Sequence, residues 1–119
     1  MFKRFRRTVT FLALLLPLPV LPVAAQSALP GKTYLLTLAE RLGRAAGDAE
    51  YCGYEEDRVE DFIAKALARL AKETDDQFLL AGGRVEFNTH SVYGRSEGPE
   101  QGCEAFGLEF AKIRATLLN

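Results

Sequence analysis

The chain has 119 residues, with 15 Lys or Arg, 16 Asp or Glu, one histidine and two cysteines, a length that fits one domain. Without the basic N-terminal leader described next, eleven basic residues stand against sixteen acidic ones. Because an acidic domain lacks the positive surface that nucleic acids and anionic membranes attract, we exclude both as partners.

Residues 1–25 have the pattern of a secretory signal peptide. Four basic residues precede an apolar block at positions 11–16, and prolines follow at positions 17, 19 and 22. Small residues end the segment, and we expect cleavage after Ala25. A membrane anchor is disfavoured because a spanning helix needs about 20 apolar residues and the prolines interrupt this run. We therefore predict a periplasmic or secreted domain, residues 26–119, with no membrane span.

The first predicted helix covers residues 32–49. Its apolar stripe consists of Tyr34, Leu35, Leu38, Leu42, Ala45 and Ala46, which recur at helical spacing. Residues 51–54 are predicted to form a turn in which Gly53 takes a positive φ. We expect the two tyrosines of this turn to cover a disulfide at Cys52.

The second and strongest helix prediction covers residues 55–72. Its apolar residues are Val59, Phe62, Ile63, Ala66, Leu67 and Leu70, which form a single stripe. Three acidic residues at positions 55–57 fit its first turn, where the helix dipole favours negative charge.

The third helix is predicted from about residue 75 to residue 93. Its apolar stripe is Phe78, Gly82, Val85, Thr89 and Val92. Residues 85–92 also alternate as a strand would, but no second strand is evident to pair with them. We therefore predict a helix, in which Gly82 and Gly83 allow a close approach or a kink.

The last helix follows a loop at residues 94–98, with Pro99 predicted in its first turn. Its seam is Cys103, Phe106, Phe110, Ile113 and Leu117. The predicted fold is all-α, a small four-helix bundle-like domain tied by one disulfide. In this arrangement the other three helices close the core, and the third is weakly packed.

Cys52 and Cys103 are the only cysteines, and in an exported chain two cysteines most simply form one disulfide. A redox pair more usually has a Cys-x-x-Cys spacing, and a metal site needs further ligands.

The sequence contains no recognisable catalytic constellation, and we predict no catalytic, cofactor-binding or metal-binding residues. His90 lies one turn after Glu86, but one histidine and one carboxylate are too few to hold a metal. The acidic run at residues 55–61 lacks the spacing of a calcium loop and is explained by a helix N-terminus.

Two functions remain open. The first is a binding or interaction protein for an unknown protein partner or small ligand, not an enzyme. Its surface would lie on the third helix at Phe78, Phe87, His90 and Tyr93, because a weakly packed helix opens most easily. Residues 78–93 should therefore exchange their amides faster than the second helix.

The second function follows from a resemblance. The leader, the small helical domain and the two cysteines about fifty residues apart, Cys52 and Cys103, resemble in outline the HdeA-type acid-stress chaperones of the cell envelope. The resemblance implies a protein that loosens and exposes apolar surface at low pH.

Overall fold

The computed structural model describes residues 30–118 and the isolated position Pro17, so the predicted signal peptide otherwise lies outside the described residues. Four helices follow one another: α1 (Pro30–Tyr51), α2 (Glu56–Glu73), α3 (Gln77–Glu97) and α4 (Cys103–Thr116). Residues 30–118 contain no strand. The all-α prediction is confirmed, and residues 85–92 are helical. None of these helices is long and apolar enough to cross a membrane.

The first connections match the local chemistry of their residues. After α1, the amide of Tyr54 donates to the carbonyl of Ala49, and Gly53 takes the predicted positive φ of 80°. The carboxylate of Asp76 then caps α3 by accepting from the amides of Phe78 and Leu79 at 2.9 and 3.3 Å. Each turn therefore satisfies backbone groups that the helix ends leave unpaired.

The closest helix pair is α1 and α3, which run parallel. A Cβ on Gly43 or Gly47 would overlap the carbonyl oxygen of Phe87 or Ser91, respectively. A Cβ on Gly94 would lie 2.8 Å from the carbonyl oxygen of Arg44. The two backbones thus touch directly, an approach that only glycine permits at these positions.

This contact corrects the predicted place of α3. The helix is not weakly packed, because its contact with α1 is the most extensive in the fold. The residues that it buries are Leu80, Gly83, Phe87, Ser91 and Gly94. Its predicted stripe instead faces away from the core, since Phe78 is 92% exposed and Val85 is 62% exposed.

The other side of α1 is covered by α2 and α4. The predicted stripe of α2 is buried at Val59, Phe62, Ala66 and Leu70, and α4 buries Phe106, Phe110 and Ile113. The rings of Phe62 and Phe110 meet at 4.8 Å, and Tyr54 packs edge-on against Phe110 at 5.1 Å. Large aromatic side chains therefore attach α4 to the rest of the core.

The prediction for residues 94–102 is wrong. No loop begins at Gly94, because α3 continues to Glu97, and packing of Gly94 against α1 outweighs the helix cost of glycine. Pro99 is not in α4. It lies in a turn in which the amide of Gly102 donates to its carbonyl at 3.1 Å, and the φ values of 73° and 88° at Gly98 and Gly102 prevent a helix there.

The predicted disulfide is confirmed. Cys52 and Cys103 are bonded, with Cα atoms 5.5 Å apart. The bridge joins the turn after α1 to the first residue of α4, so it closes the end of the bundle where α2 also begins.

Candidate functional site

The four residues predicted as an interaction surface do not lie together. Phe78 projects into solvent, and Tyr93 is half exposed. His90 is partly buried between α3 and α1. Phe87 is only 2% exposed and belongs to the core, so its side chain has no part in the surface.

The outer face of α3, defined as Phe78, Gly82, Val85, Thr89 and Val92, carries three large apolar side chains separated by a glycine and a threonine. Its three large members recur every seven residues, and each is more than half exposed. These side chains point away from the core because the opposite side of α3 packs against α1. The buried side combines two large residues, Leu80 and Phe87, with the small residues Gly83, Ser91 and Gly94, and the predicted stripe lies on the side away from the core.

A groove of about 580 Å³ lies beside this face, between the first half of α3 and α1. We call it the α3 groove, and its lining residues are Leu36, Asp76, Phe78, Leu79, Gly82, Val85 and Glu86. Five of these are apolar or glycine, two are acidic and none is Lys or Arg. The groove can therefore receive an apolar group with a positive charge beside it.

A second cavity, the central cleft, has a volume of about 430 Å³ and lies between α1, α3 and α4. Its best-defined polar group is Arg44, whose Nε is 3.0 Å from Oδ1 of Asp48. Nη2 of Arg44 also donates to the carbonyl of Gly98 at 2.7 Å. The guanidinium lies 4.8 Å from the centre of the Tyr93 ring, so Arg44 ties α1 to the end of α3.

Burial and hydrogen bonding shift the pKa of two groups in the cleft. Burial raises the pKa of Asp48 above its ordinary value of 3.8, although the hydrogen bond from Arg44 opposes this shift. A hydrogen bond to Glu97, together with the charge of that carboxylate, raises the pKa of Tyr93. Tyr93 is therefore a neutral hydrogen-bond donor at physiological pH rather than a base.

His90 is the remaining titratable group of interest. Its Nε2 is 3.5 Å from Oε2 of Glu86 and 3.9 Å from Oε2 of Glu40. Across residues 30–118, no group of three or more His, Cys, Asp or Glu side chains is arranged to hold a metal ion. This geometry brings the imidazole of His90 near one carboxylate of its own helix and one of α1.

Sequence reasoning missed the residues that build the cleft and its scaffold. Arg44 and Asp48 stand four residues apart on α1, a spacing that predicts a helical ion pair. Gly43 and Gly47 have the same spacing, which is a signal for close helix approach. Neither pattern indicates which helix lies opposite, and that is why the partner α3 was not identified.

Comparison with known proteins gives no match to a family, to a curated protein or to a solved structure. The proposals below are based on the geometry of the described residues.

Proposed function

We propose that this protein is a small exported binding module, without a catalytic role, that engages a protein partner through the outer face of α3. The observation that carries the proposal is the line formed by Phe78, Val85 and Val92, which are 92, 62 and 53% exposed. Contiguous exposed apolar residues are typical of interaction sites in soluble domains. The line continues beside the α3 groove, which adds a concave surface.

The packing of α3 supports this role. Its inner face touches the backbone of α1 at Gly43 and Gly47, so the outer side chains are presented on a firm support. A surface already held in its binding shape loses less conformational entropy on association. Here the rigidity of α3, rather than its opening, favours the interaction.

We also propose that the protein is exported from the cytoplasm. The bond between Cys52 and Cys103 supports a periplasmic or secreted protein, because structural disulfides persist in oxidising compartments. The leader pattern of residues 1–25 points the same way.

The proposal is tested by identifying a partner and then measuring whether substitutions on the outer face of α3 weaken its binding. Proteins retained by the wild type from envelope and culture-medium fractions would be identified by mass spectrometry, and one would be purified for titration calorimetry. Val85→Ser should weaken this complex about tenfold, because burying one valine contributes roughly 1.5 kcal/mol.

Leu108→Ser is the matched control, because Leu108 is 80% exposed but lies on α4. It should leave the affinity unchanged. A reconstituted complex that is equally strong with Val85→Ser and Val92→Ser would show that the outer face of α3 is not the binding surface.

A further inference from the structure

We propose that the outer face of α3 and the α3 groove together receive an amphipathic helix of another protein, with basic residues along its flank. This inference depends on the proposed function and adds the secondary structure and charge of the partner.

The spacing of the exposed residues indicates a helical partner. Phe78, Val85 and Val92 recur at intervals of seven, and small residues, Gly82 and Thr89, stand between them. This alternation of steps of four and three is the pattern with which two helices interlock along a shallow crossing. At about 1.5 Å per residue, the line is roughly 21 Å long, so it matches a partner of about four helical turns.

Gly82 provides a recess along this line. A Cβ at Gly82 would meet only Cδ2 of Leu36, at 3.8 Å, so Leu36 forms the floor. The recess is flanked by Phe78 and Val85, which also line the groove. An apolar side chain of the partner would enter here and contact α1 as well as α3.

The charges around the recess specify a basic flank. Asp76 and Glu86 line the groove, and Glu40 lies one turn beyond Leu36 on α1 with its side chain 56% exposed. The carboxylates of Glu40 and Glu86 lie 3.9 and 3.5 Å from Nε2 of His90. Asp76 accepts from the backbone at the start of α3. Lys or Arg on a partner would complement these three carboxylates.

The same charges disfavour a second copy of this chain as the occupant. A symmetric dimer brings the same patch of both chains together. Asp76 and Glu86 of one chain would then face the identical carboxylates of the other, and like charges in an interface are costly. A different protein with basic residues meets no such repulsion.

The experiment uses three synthetic 16-residue peptides and the disulfide-bonded protein. One peptide is an amphipathic helix with leucines at steps of three and four and lysines on its flanks. The second replaces each lysine by glutamate, and the third has the basic composition in a scrambled order. Calorimetry should detect the basic helix only, with an affinity that falls as salt concentration rises.

Two substitutions test the recess and the charge separately. Gly82→Gln fills the recess with a helix-compatible side chain and should weaken binding of the basic peptide about tenfold. Glu86→Lys should weaken the basic peptide at least fivefold and improve binding of the acidic one. Circular dichroism of both variants should show the wild-type helix content, and Leu108→Ser should bind as the wild type does.

The possible results separate this inference from the proposed function. Equal binding of the basic and acidic helices, lost in Gly82→Gln, would keep α3 as the interaction surface but overturn the basic flank. Binding of the scrambled peptide as strongly as the helix, or no binding of the basic helix, would overturn the helical partner. Self-association in sedimentation experiments that Gly82→Gln abolishes would assign the groove to a second copy instead.

Discussion

Gly43, Gly47 and Gly94 determine how near α1 and α3 approach. At each of them an added methyl group would meet backbone atoms of the opposite helix. A backbone cannot move aside as a flexible side chain can, so the whole helix would have to shift. The cost of a substitution therefore depends on what the glycine faces and not on glycine as such.

Paired alanine substitutions test this distinction. Gly43→Ala should lower the free energy of unfolding by about 3 kcal/mol, because overpacking forces the helices apart. Gly82→Ala, also inside a helix, meets nothing closer than 3.8 Å and should raise it by about 1 kcal/mol through helix propensity. Urea unfolding followed by circular dichroism measures both. Similar effects of the two substitutions would contradict direct backbone contact at Gly43.

Asp48 makes stability depend on pH in an unusual direction. Because burial raises its pKa above 3.8, the folded protein binds a proton on Asp48 at a higher pH than the unfolded chain does. Over that interval the unfolded state binds fewer protons, so the contribution of Asp48 to the free energy of unfolding falls as pH rises.

Comparison with Asp48→Asn isolates this contribution. The unfolding free energy of the wild type minus that of the variant should decrease as the pH rises above 3.8, until the carboxyl of the folded protein has ionised. A difference that increases with pH would mean that Arg44 overcomes the burial of Asp48. An acid-stress chaperone loses stability towards low pH, and the predicted effect of Asp48 is in the opposite direction.

At the scale of the helices, the sequence predicted the buried face correctly where that face consists of large apolar residues. It did not predict the buried face where small residues make the contact. The stripe of α2 was correct because Val59, Phe62 and Leu70 are apolar and its other face is charged. The stripe of α3 was assigned to the wrong face, since its buried side includes Gly83, Ser91 and Gly94. Hydrophobic periodicity does not register glycine and serine positions, and Leu80 and Phe87 were the only large residues on that face.

We expect α4, not α3, to be the helix most readily released. It has far fewer backbone contacts with α1 than α3 has, and Phe106 and Phe110 attach it through ring contacts with Tyr54 and Phe62. The bond between Cys52 and Cys103 fixes its first residue. This replaces the expectation that residues 78–93 exchange faster than α2, which assumed that α3 was loosely packed.

Reduction of the disulfide should therefore release α4 selectively. In the reduced protein, amides of α4 should exchange with deuterium faster, while those of α1 and α3 remain protected. The melting temperature should fall, because a bridge across a sequence separation of 51 contributes about 4 kcal/mol in the chain-entropy model. Hydrogen exchange by mass spectrometry measures the first effect and calorimetry the second. Equal deprotection of all four helices would contradict this view of α4.

For the molecule as a whole, the sequence predicted four helices and one bridge but not their assembly. Each helix could be inferred from residues close together along the chain, and the bridge followed because Cys52 and Cys103 had no other partner. Of the residues predicted for an interaction surface, Phe78 and Tyr93 are exposed, whereas Phe87 is buried. Which faces meet depends on contacts between distant residues, and one-dimensional periodicity carries little information about them.

The parallel contact of α1 and α3 also affects how the chain reaches this structure. Gly43 lies on α1 and Phe87 on α3, and α2 stands between them in the chain. The two residues can come into contact only after α2 has carried the chain back to the start of α1. The entropy of closing that loop is lost before the contact forms, unlike in a bundle built from neighbouring antiparallel helices. We therefore expect α3 to dock late in folding, and the residues of α1 that it covers to be exposed to aggregation until then.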